Sequence, residues 1–575
     1  MRVQNSLADL AVPFRKRFMF NRLYQLASSR NVCDKSIIAI VGARRTGKTV
    51  LLMQLIKELL DNKVYTEENI EYYTYELKKL RNRQLENTRD TVAELTQFIT
   101  QRKQNNPSLR VLVIDEISMC YDFCIAGGTL ANYCGTNGIK LIVSGTYSSV
   151  IRESISDTCM DRVSLIDSTY ISYSEYSYLN DLSTLTVEDK KVAVNLYLTK
   201  GSTLGGSLNA EEYLTSTVAT NVAISLLTLD EIHSLQSINL EDINQVNEVI
   251  EVILKYYKYL STSMTLTELY RAIRTDELSK SLSNLRTKLS KLKKREIFND
   301  AIKEQFSGFQ LLFNDCKYVY QDLELIRAID EALSRLNLVC GEYEITDEAD
   351  AVIQNLTLLH SFKMDTVQAL MNSTILNTTT GLNPQDLAIL KENIRQTTLG
   401  VTLEEVIVIN TLDTLRLEEV LEEQQFSDGY TIKVKRRISP DLYKLRFFSK
   451  VARCYKEIDM ITVDGFNINL YEIKHSTEMN VNQYKWLEDS EVEELLKNYF
   501  SDKISIKRFV LYMGEPREIE TTLKLWIRNP EEKLIPQDSQ TEISITYKNI
   551  SDYLTSLKKN KTDLTGWYIN GITTY

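Results

Sequence analysis

The chain has 575 residues, 43% of them hydrophobic and 25% charged, with a formal net charge of −10. That balance belongs to a globular protein with several buried cores and excludes a low-complexity, collagen-like or bulk polycationic chain, so any nucleic-acid contact has to come from local basic patches. No apolar stretch approaches the ~18 residues of a transmembrane helix, and the basic-aromatic run Phe14–Phe18 lacks the apolar core of a signal peptide, which predicts a cytoplasmic protein without membrane contact.

Eight cysteines are scattered, and His233, His360 and His475 lie far apart. Zinc sites use four Cys/His ligands in paired short spacings, and no such set is present, so buried free thiols are expected.

In chain order, residues Phe18 to Leu26 read as a short amphipathic helix. The apolar run Ile37–Val41 then meets Gly42-Ala43-Arg44-Arg45-Thr46-Gly47-Lys48-Thr49 and opens into the helical Val50–Ile56. Strand, glycine loop, lysine, hydroxyl, helix is the phosphate-binding loop of a P-loop NTPase. Backbone N–H groups between Gly42 and Val50, including those of Arg45 and Thr46, can surround a phosphate at the positive end of the helix. Lys48 can reach the terminal phosphates of ATP and the Thr49 hydroxyl can ligate Mg²⁺.

A second strand is predicted at Asn69–Tyr75, followed by a charged helix ending near Lys103. Val111–Ile114 then delivers Asp115 and Glu116. A buried strand ending in two acids suits the other half of such a site, with Asp115 beside Mg²⁺ and Glu116 as general base for the attacking water. The strand Lys140–Val143 leads into Ser144-Gly145-Thr146-Tyr147-Ser148-Ser149, where a hydroxyl such as that of Thr146 can sense the γ-phosphate or belong to a turn. Strands alternating with helices argue for a parallel sheet between helical layers.

These three motifs together resemble a bacterial and archaeal AAA-type ATPase family, which carries Gly-x-Arg-x-x-Gly-Lys-Thr, Asp-Glu-Ile-Gln and Thr-Gly-Ser-Ser in the same places. Here Ser118 replaces the glutamine, and Ser144 and Thr146 depart from the third motif. Asp161-Arg162 stands where relatives have Gly-Arg, so the resemblance implies a homo-oligomer in which Arg162 faces a neighbouring γ-phosphate; Arg152 competes for that role. Tyr197-Leu198-Thr199-Lys200-Gly201 resembles the family's Tyr-Leu-x-x-Gly-Gly turn, and the segment from Glu212 to Leu227 would belong to a lid.

From Asn244 the pattern is helical. Met264–Ile273 fits the first helix of a helix-turn-helix, and the next helix aligns Leu278, Leu282, Leu285, Leu289 and Leu292. Its other faces carry Lys288, Lys291 and Lys294, which meet DNA phosphates in a winged-helix reading or solvent in a plain helical one. Lys317–Asp322 resembles the junction after this module in the family. Residues 323–399 read as a helical insertion, with a loop at Asn377–Pro384.

The last region begins with a helix after Gly400, bearing Glu404, then basic strand-like sequence at Tyr430–Arg437. Strands follow at Glu457–Val463 and Ile468–Lys474, then a helix around Trp486–Tyr499 and a strand at Phe509–Tyr512. This order resembles the PD-(D/E)XK nuclease fold. Asp459 and Glu472 would hold Mg²⁺, Lys474 would stabilise an activated water or the scissile phosphate, and Glu404 would add a ligand.

The expected fold class is α/β: a P-loop NTPase core with a parallel sheet at 1–180, a helical lid at 181–243, a helical winged-helix-like domain at 244–322, the helical insertion at 323–399, and an α/β restriction-endonuclease-like domain at 400–575. The implied activity is an ATPase that couples nucleotide state to DNA binding and Mg²⁺-dependent cleavage, which suits host defence or mobile-element biology. The alternative is a signalling switch whose C-terminal fold only binds a partner.

Overall fold

A computed structural model of the chain describes residues 2–3, 13–29, 36–42, 46–74, 92–117, 123–145, 163–168, 171–201, 283, 287, 339–344, 349–353, 384–416, 418–425, 431–480, 483–531 and 533–557. Most of the expected winged-helix region lies outside them, Lys288, Lys291 and Lys294 included. Within it, Ser283 and Thr287 are helical, and the Thr287 hydroxyl donates to the Ser283 carbonyl at 2.9 Å.

The amino-terminal half is built on a six-stranded sheet. Its strands are β1 (Arg2–Val3), β2 (Ile37–Val41), β3 (Ile70–Thr74), β4 (Val111–Asp115), β5 (Lys140–Gly145) and β6 (Val163–Asp167), ordered β1-β3-β4-β5-β2-β6. The last five are parallel, and β1 joins β3 antiparallel. β2 and β4 are not neighbours: β5 lies between them, and its carboxyl end falls between theirs.

The strands are apolar on both faces because both are covered. Ile38, Ile40, Tyr72, Val113 and Ile142 pack under helices α1 (Phe20–Ser28) and α2 (Lys48–Asp61). Ala39, Val41, Leu112, Ile114 and Leu141 pack under α3 (Val92–Asn105) and α4 (Phe123–Thr136). The alternation follows the two-residue period of a strand.

Two further helices follow β6. The Ser172 hydroxyl accepts the Glu175 N–H to cap α5 (Tyr173–Asn180), and Thr186 and Asp189 form a reciprocal capping box on α6 (Val187–Lys200). Their apolar sides do not return to the first sheet. Tyr173, Tyr176, Val194, Tyr197 and Leu198 share one core with the carboxyl-terminal half.

That half is an eight-stranded mixed sheet. It contains β7 (Val339–Glu344), β8 (Ala349–Ile353), β11 (Leu442–Ser449), β12 (Cys454–Asp464), β13 (Asn467–Ile473), β14 (Ser505–Tyr512), β15 (Arg517–Arg528) and β16 (Leu534–Asn549), ordered β15-β16-β14-β13-β12-β11-β7-β8. β9 (Glu418–Gln425) and β10 (Thr431–Ile438) form a separate antiparallel pair, in which the basic strand lies against an acidic one, Lys433 opposite Glu423 and Arg437 opposite Glu419. One face of the large sheet carries α5, α6, α7 (Pro384–Leu412) and α9 (Ile550–Ser556); the other carries the short 3-10 helix Lys485–Glu488 and α8 (Ser490–Tyr499).

Three elements differ from the sequence-based expectation. The segment read as a helical insertion contributes β7 and β8, because Tyr343 and Glu344 pair in parallel with Tyr443 and Lys444 and the open edge of β11 recruits them. The helix placed after Gly400 starts at Pro384, where proline's missing N–H costs nothing in a first turn, and runs unbroken through Gly400. The helix around Trp486 is split by Asp489, whose side chain accepts the Glu491 N–H and so starts α8 afresh.

Candidate functional site

The first constellation forms where β2, β4 and β5 end. Gly42 (φ 150°) and Gly47 (φ 87°) adopt backbone that side chains disfavour, which lets the loop curl into the start of α2. Lys48 is buried, and its ammonium donates to the Gly42 carbonyl at 2.8 Å. The Thr49 hydroxyl donates to Asp115 Oδ2 at 2.7 Å across the sheet.

Asp115 is held from three sides. Besides Thr49, the Ser144 hydroxyl at the end of β5 donates to Oδ1, and the Tyr72 hydroxyl reaches Oδ2 at 3.4 Å. Burial, and then the Asp115 charge, pushes the Tyr72 phenol well above its usual range, so it stays a neutral donor. Glu116 follows in left-handed backbone (φ 62°), and its N–H points to Ser144 Oγ at 3.4 Å. Strained backbone of this kind is kept where a side chain must be aimed.

The residues suit Mg²⁺. Thr49 Oγ1 and Asp115 Oδ2 lie 2.7 Å apart, close to the roughly 2.9 Å between neighbouring oxygens of an octahedron with ~2.0–2.1 Å bonds. Among the described residues no three His, Cys, Asp or Glu side chains form a metal-holding group.

The loop is anchored from beneath by Arg17, which the motif reading missed. Its guanidinium donates to the Thr46 carbonyl at 2.5 Å and the Ser168 carbonyl at 3.3 Å, and pairs with Glu175 at 2.6 Å. The Thr46 and Ser168 hydroxyls lie 3.1 Å apart. Val50 is exposed on the first turn of α2. Arg45, Thr146 and Arg162 lie outside the described residues.

A second constellation lies in the carboxyl-terminal half: it joins Asp459, Glu472 and Lys474, with Glu404 within electrostatic reach. In the β11–β12 ladder Tyr443 pairs with Ile461 but Leu445 pairs with Ile458. Asp459 and Met460 therefore both stand opposite Lys444, a bulge of the kind that re-aims a side chain. Asp459 turns toward the end of β13, where its Oδ2 accepts the Ile473 N–H at 2.7 Å and the Lys474 ammonium at 2.8 Å. Lys474 also meets Glu472 Oε2 at 2.9 Å.

Glu404 enters from α7. Burial first, and the Asp459 charge second, pushes its carboxyl up to about 8. The same two causes hold Glu472 well above the usual carboxylate range. Burial works against the Lys474 ammonium, yet Asp459, Glu472 and Glu404 outweigh it and hold its pKa well above the ordinary value. The oxygens of Asp459 and Glu472 converge on the Lys474 ammonium. Beside it, His475 Nε2 lies 2.7 Å from Asn195 Oδ1 on α6.

Residues 34–177 match a family model described as an AAA domain. Similar solved structures include a Walker-type ATPase of Pyrococcus abyssi, at 12% identity over 62% of this chain and 99% of that one, with a TM-score of 0.27. The Aeropyrum pernix ORC2 protein in ADPNP–ADP complexes is 12% identical over 64% of this chain and 98% of that one, with a TM-score of 0.28. The S. cerevisiae Hsp104–ADP complex is 12% identical over 70% and 53%, with a TM-score of 0.22. Scores this low do not extend to a common arrangement of the whole chain. No curated protein matches the sequence. Among the described residues no helix is long and apolar enough to cross a membrane.

Proposed function

Starting from an AAA-type P-loop ATPase domain over residues 34–177, we propose that the protein binds and hydrolyses ATP and couples its nucleotide state to a DNA-directed, Mg²⁺-dependent nuclease site at Asp459, Glu472 and Lys474. The observation that carries the ATPase reading is the Thr49–Asp115–Ser144 set, which joins the phosphate loop to the acidic strand through β5. The loop N–H groups and Lys48 bind the phosphates, Thr49 and Asp115 hold Mg²⁺, and Glu116 orients the attacking water and takes its proton. Bound Mg²⁺ neutralises charge on the phosphate oxygens. Arg45, Thr146 and Arg162 keep their proposed roles at the phosphates, Arg162 acting on a neighbouring copy in a homo-oligomer.

For the second site the supporting observation is the convergence of two carboxylates and a lysine, with Glu404 beside them. Asp459 and Glu472 would hold the metal, and Lys474 would turn toward the scissile phosphate. Lys288, Lys291 and Lys294 would add DNA contacts upstream. A second reading, a switch whose carboxyl-terminal fold only binds a partner, is favoured by one feature: Lys474 already neutralises the carboxylate pair.

One set of variants separates these. Lys48→Ala should lower ATP turnover at least about a hundredfold, and persistent turnover rules out both readings. Linear, circular and single-stranded DNA and RNA are then incubated with the protein and Mg²⁺ or Mn²⁺, with and without ATP. Cleavage that disappears in Asp459→Ala and Glu472→Ala supports the nuclease; cleavage absent from the parent, or surviving both changes, leaves the switch.

A further inference from the structure

The β11–β12 hairpin carries exposed rings that the fold does not use. Phe448 is 53% exposed and Tyr455 61%, with Val451 at the tip 46% exposed. Scattered surface apolar residues need no explanation, but a contiguous group on one hairpin does. Phe448 and Tyr455 face each other across the strands, their rings edge to face at 5.4 Å. Arg446 lies over the Tyr455 ring at 5.2 Å. Lys450 and Arg453 are exposed at the turn, the latter in left-handed backbone (φ 48°).

This strip leads to the carboxylate cluster. Tyr455, Glu457 and Asp459 alternate along β12, and Lys444 reaches Glu457 at 3.4 Å. Lys444 and Glu457 are also among the charges felt by Glu404. Four residue-to-residue steps along the strand carry Tyr455 to Asp459, about 13 Å at ~3.3 Å per step. Lys444, Arg446, Lys450 and Arg453 stand along the way against Glu457 on the hairpin and Glu344, the register partner of Lys444 on β7, in a chain whose net charge is −10.

The hairpin is braced from behind. The buried Lys456 ammonium pairs with Asp489 at 2.6 Å and Glu491 at 2.7 Å. Glu491 also accepts the Ser449 hydroxyl at 2.7 Å, Ser449 Oγ accepts the Ala452 N–H at 3.0 Å, and Arg528 donates to the Ala452 carbonyl at 3.1 Å. A buried ion pair of this kind stabilises little by itself, because desolvation offsets its attraction. Together these contacts hold the tip from behind while the rings face solvent.

We propose that Lys444, Arg446, Phe448, Lys450, Arg453 and Tyr455 form a track that binds single-stranded nucleic acid and leads it toward Asp459. The rings stack on unpaired bases while the cations follow the phosphates. A duplex does not fit the same contacts, because its bases keep their faces stacked on each other. This assignment rests on the nucleic-acid reading of the carboxyl-terminal half but requires no cleavage.

The test is fluorescence anisotropy of the full chain with labelled dT20, rU20 and a 20-base-pair duplex, in EDTA, at several salt concentrations. The parent should bind dT20 or rU20 more tightly than the duplex. Phe448→Ala and Tyr455→Ala should each weaken single-strand binding about fivefold or more, with ATP turnover and the melting profile unchanged. Replacing Arg446, Lys450 and Arg453 by Gln should flatten the slope of log affinity against log salt by about 2, at ~0.7 per phosphate. That surface variant carries the test if an aromatic variant misfolds. Absence of single-strand binding, preference for the duplex, or unchanged affinity in the variants overturns the track. A change from dimer to monomer in Phe448→Ala/Tyr455→Ala, seen by light scattering, assigns the face to a second copy instead and also overturns it. Binding without cleavage in any metal would sink the nuclease and leave the track standing.

Discussion

Arg17 shows how one side chain can hold a loop from beneath, through the Thr46 and Ser168 carbonyls. Its side chain is 4% exposed and that of Glu175 2%, so neither charge has water to fall back on. Removing one partner of such a pair leaves the other buried and uncompensated, which costs about 3–5 kcal/mol. Arg17→Met should therefore shift the urea transition of the amino-terminal half by roughly that amount, and it should weaken binding of a fluorescent ATP analogue because the Thr46 carbonyl loses its donor. Arg17→Lys should recover only part of both, since an ammonium cannot reproduce the two-pronged contact. Equal stability in Arg17→Met and parent would show that the pair is not formed in solution. Lys48, Thr49 and Asp115 were legible as a site because each sits at a set distance from a strand end. Arg17 was not, because its partner lies 158 positions away in the chain.

At the scale of elements, the bulge in β12 and the helix α7 together make the second site. A regular ladder would pair Asp459 with a β11 residue; the bulge turns it to the end of β13 instead. Helix α7 then brings Glu404 into a buried acidic neighbourhood, where its carboxyl is raised from 4.5 to about 8. Between those two values the folded state holds a proton that the unfolded chain has released. The resulting stability is complete below about pH 4.5 and is lost as pH rises through about 8. Glu404→Gln mimics the protonated form, so its unfolding free energy should vary less between pH 6 and 9 than that of the parent, and should exceed it at pH 9. Urea titrations at several pH values measure this, and identical pH dependence in the two proteins would contradict it. The Tyr-Leu-x-x-Gly turn also has its reason at this scale. A Cβ on Gly201 would overlap the ring of Tyr197, whose hydroxyl donates to the Ile171 carbonyl at 2.8 Å.

Over the whole molecule, α5 meets both halves, and α6 packs beside it on the second. Glu175 on α5 holds Arg17 under the phosphate loop, while Tyr173 on the same helix donates its N–H to Asn410 on α7 at 3.1 Å and shares a hydrogen bond with Ser551 at 2.7 Å. Lys190 on α6 pairs with Asp552 at 2.8 Å, and Asn195 meets His475 next to Lys474. A fragment ending at residue 201 would expose the apolar sides of both helices. Its soluble yield should fall by about an order of magnitude or more relative to the full chain, and co-expression with residues 384–557 should restore it. A fragment that stays soluble and monomeric alone would show that this shared core is dispensable.

Motif spacing along single elements was enough to point to the phosphate loop and the acidic strand, and to put Glu472 and Lys474 two residues apart at one strand end, because backbone geometry places residues of one strand or one helix start without help from distant chain. Ser144 was visible as a hydroxyl at a strand end, but its bond to Asp115 depends on β5 lying between β2 and β4. The bulge at Asp459, the recruitment of β7 and β8, and the transfer of α5 and α6 to the second sheet carry no periodic signal. Each is decided by what the surrounding layers leave uncovered: an open sheet edge, a buried carboxylate needing a donor, an apolar helix face needing a partner. Those demands exist only once the chain has folded.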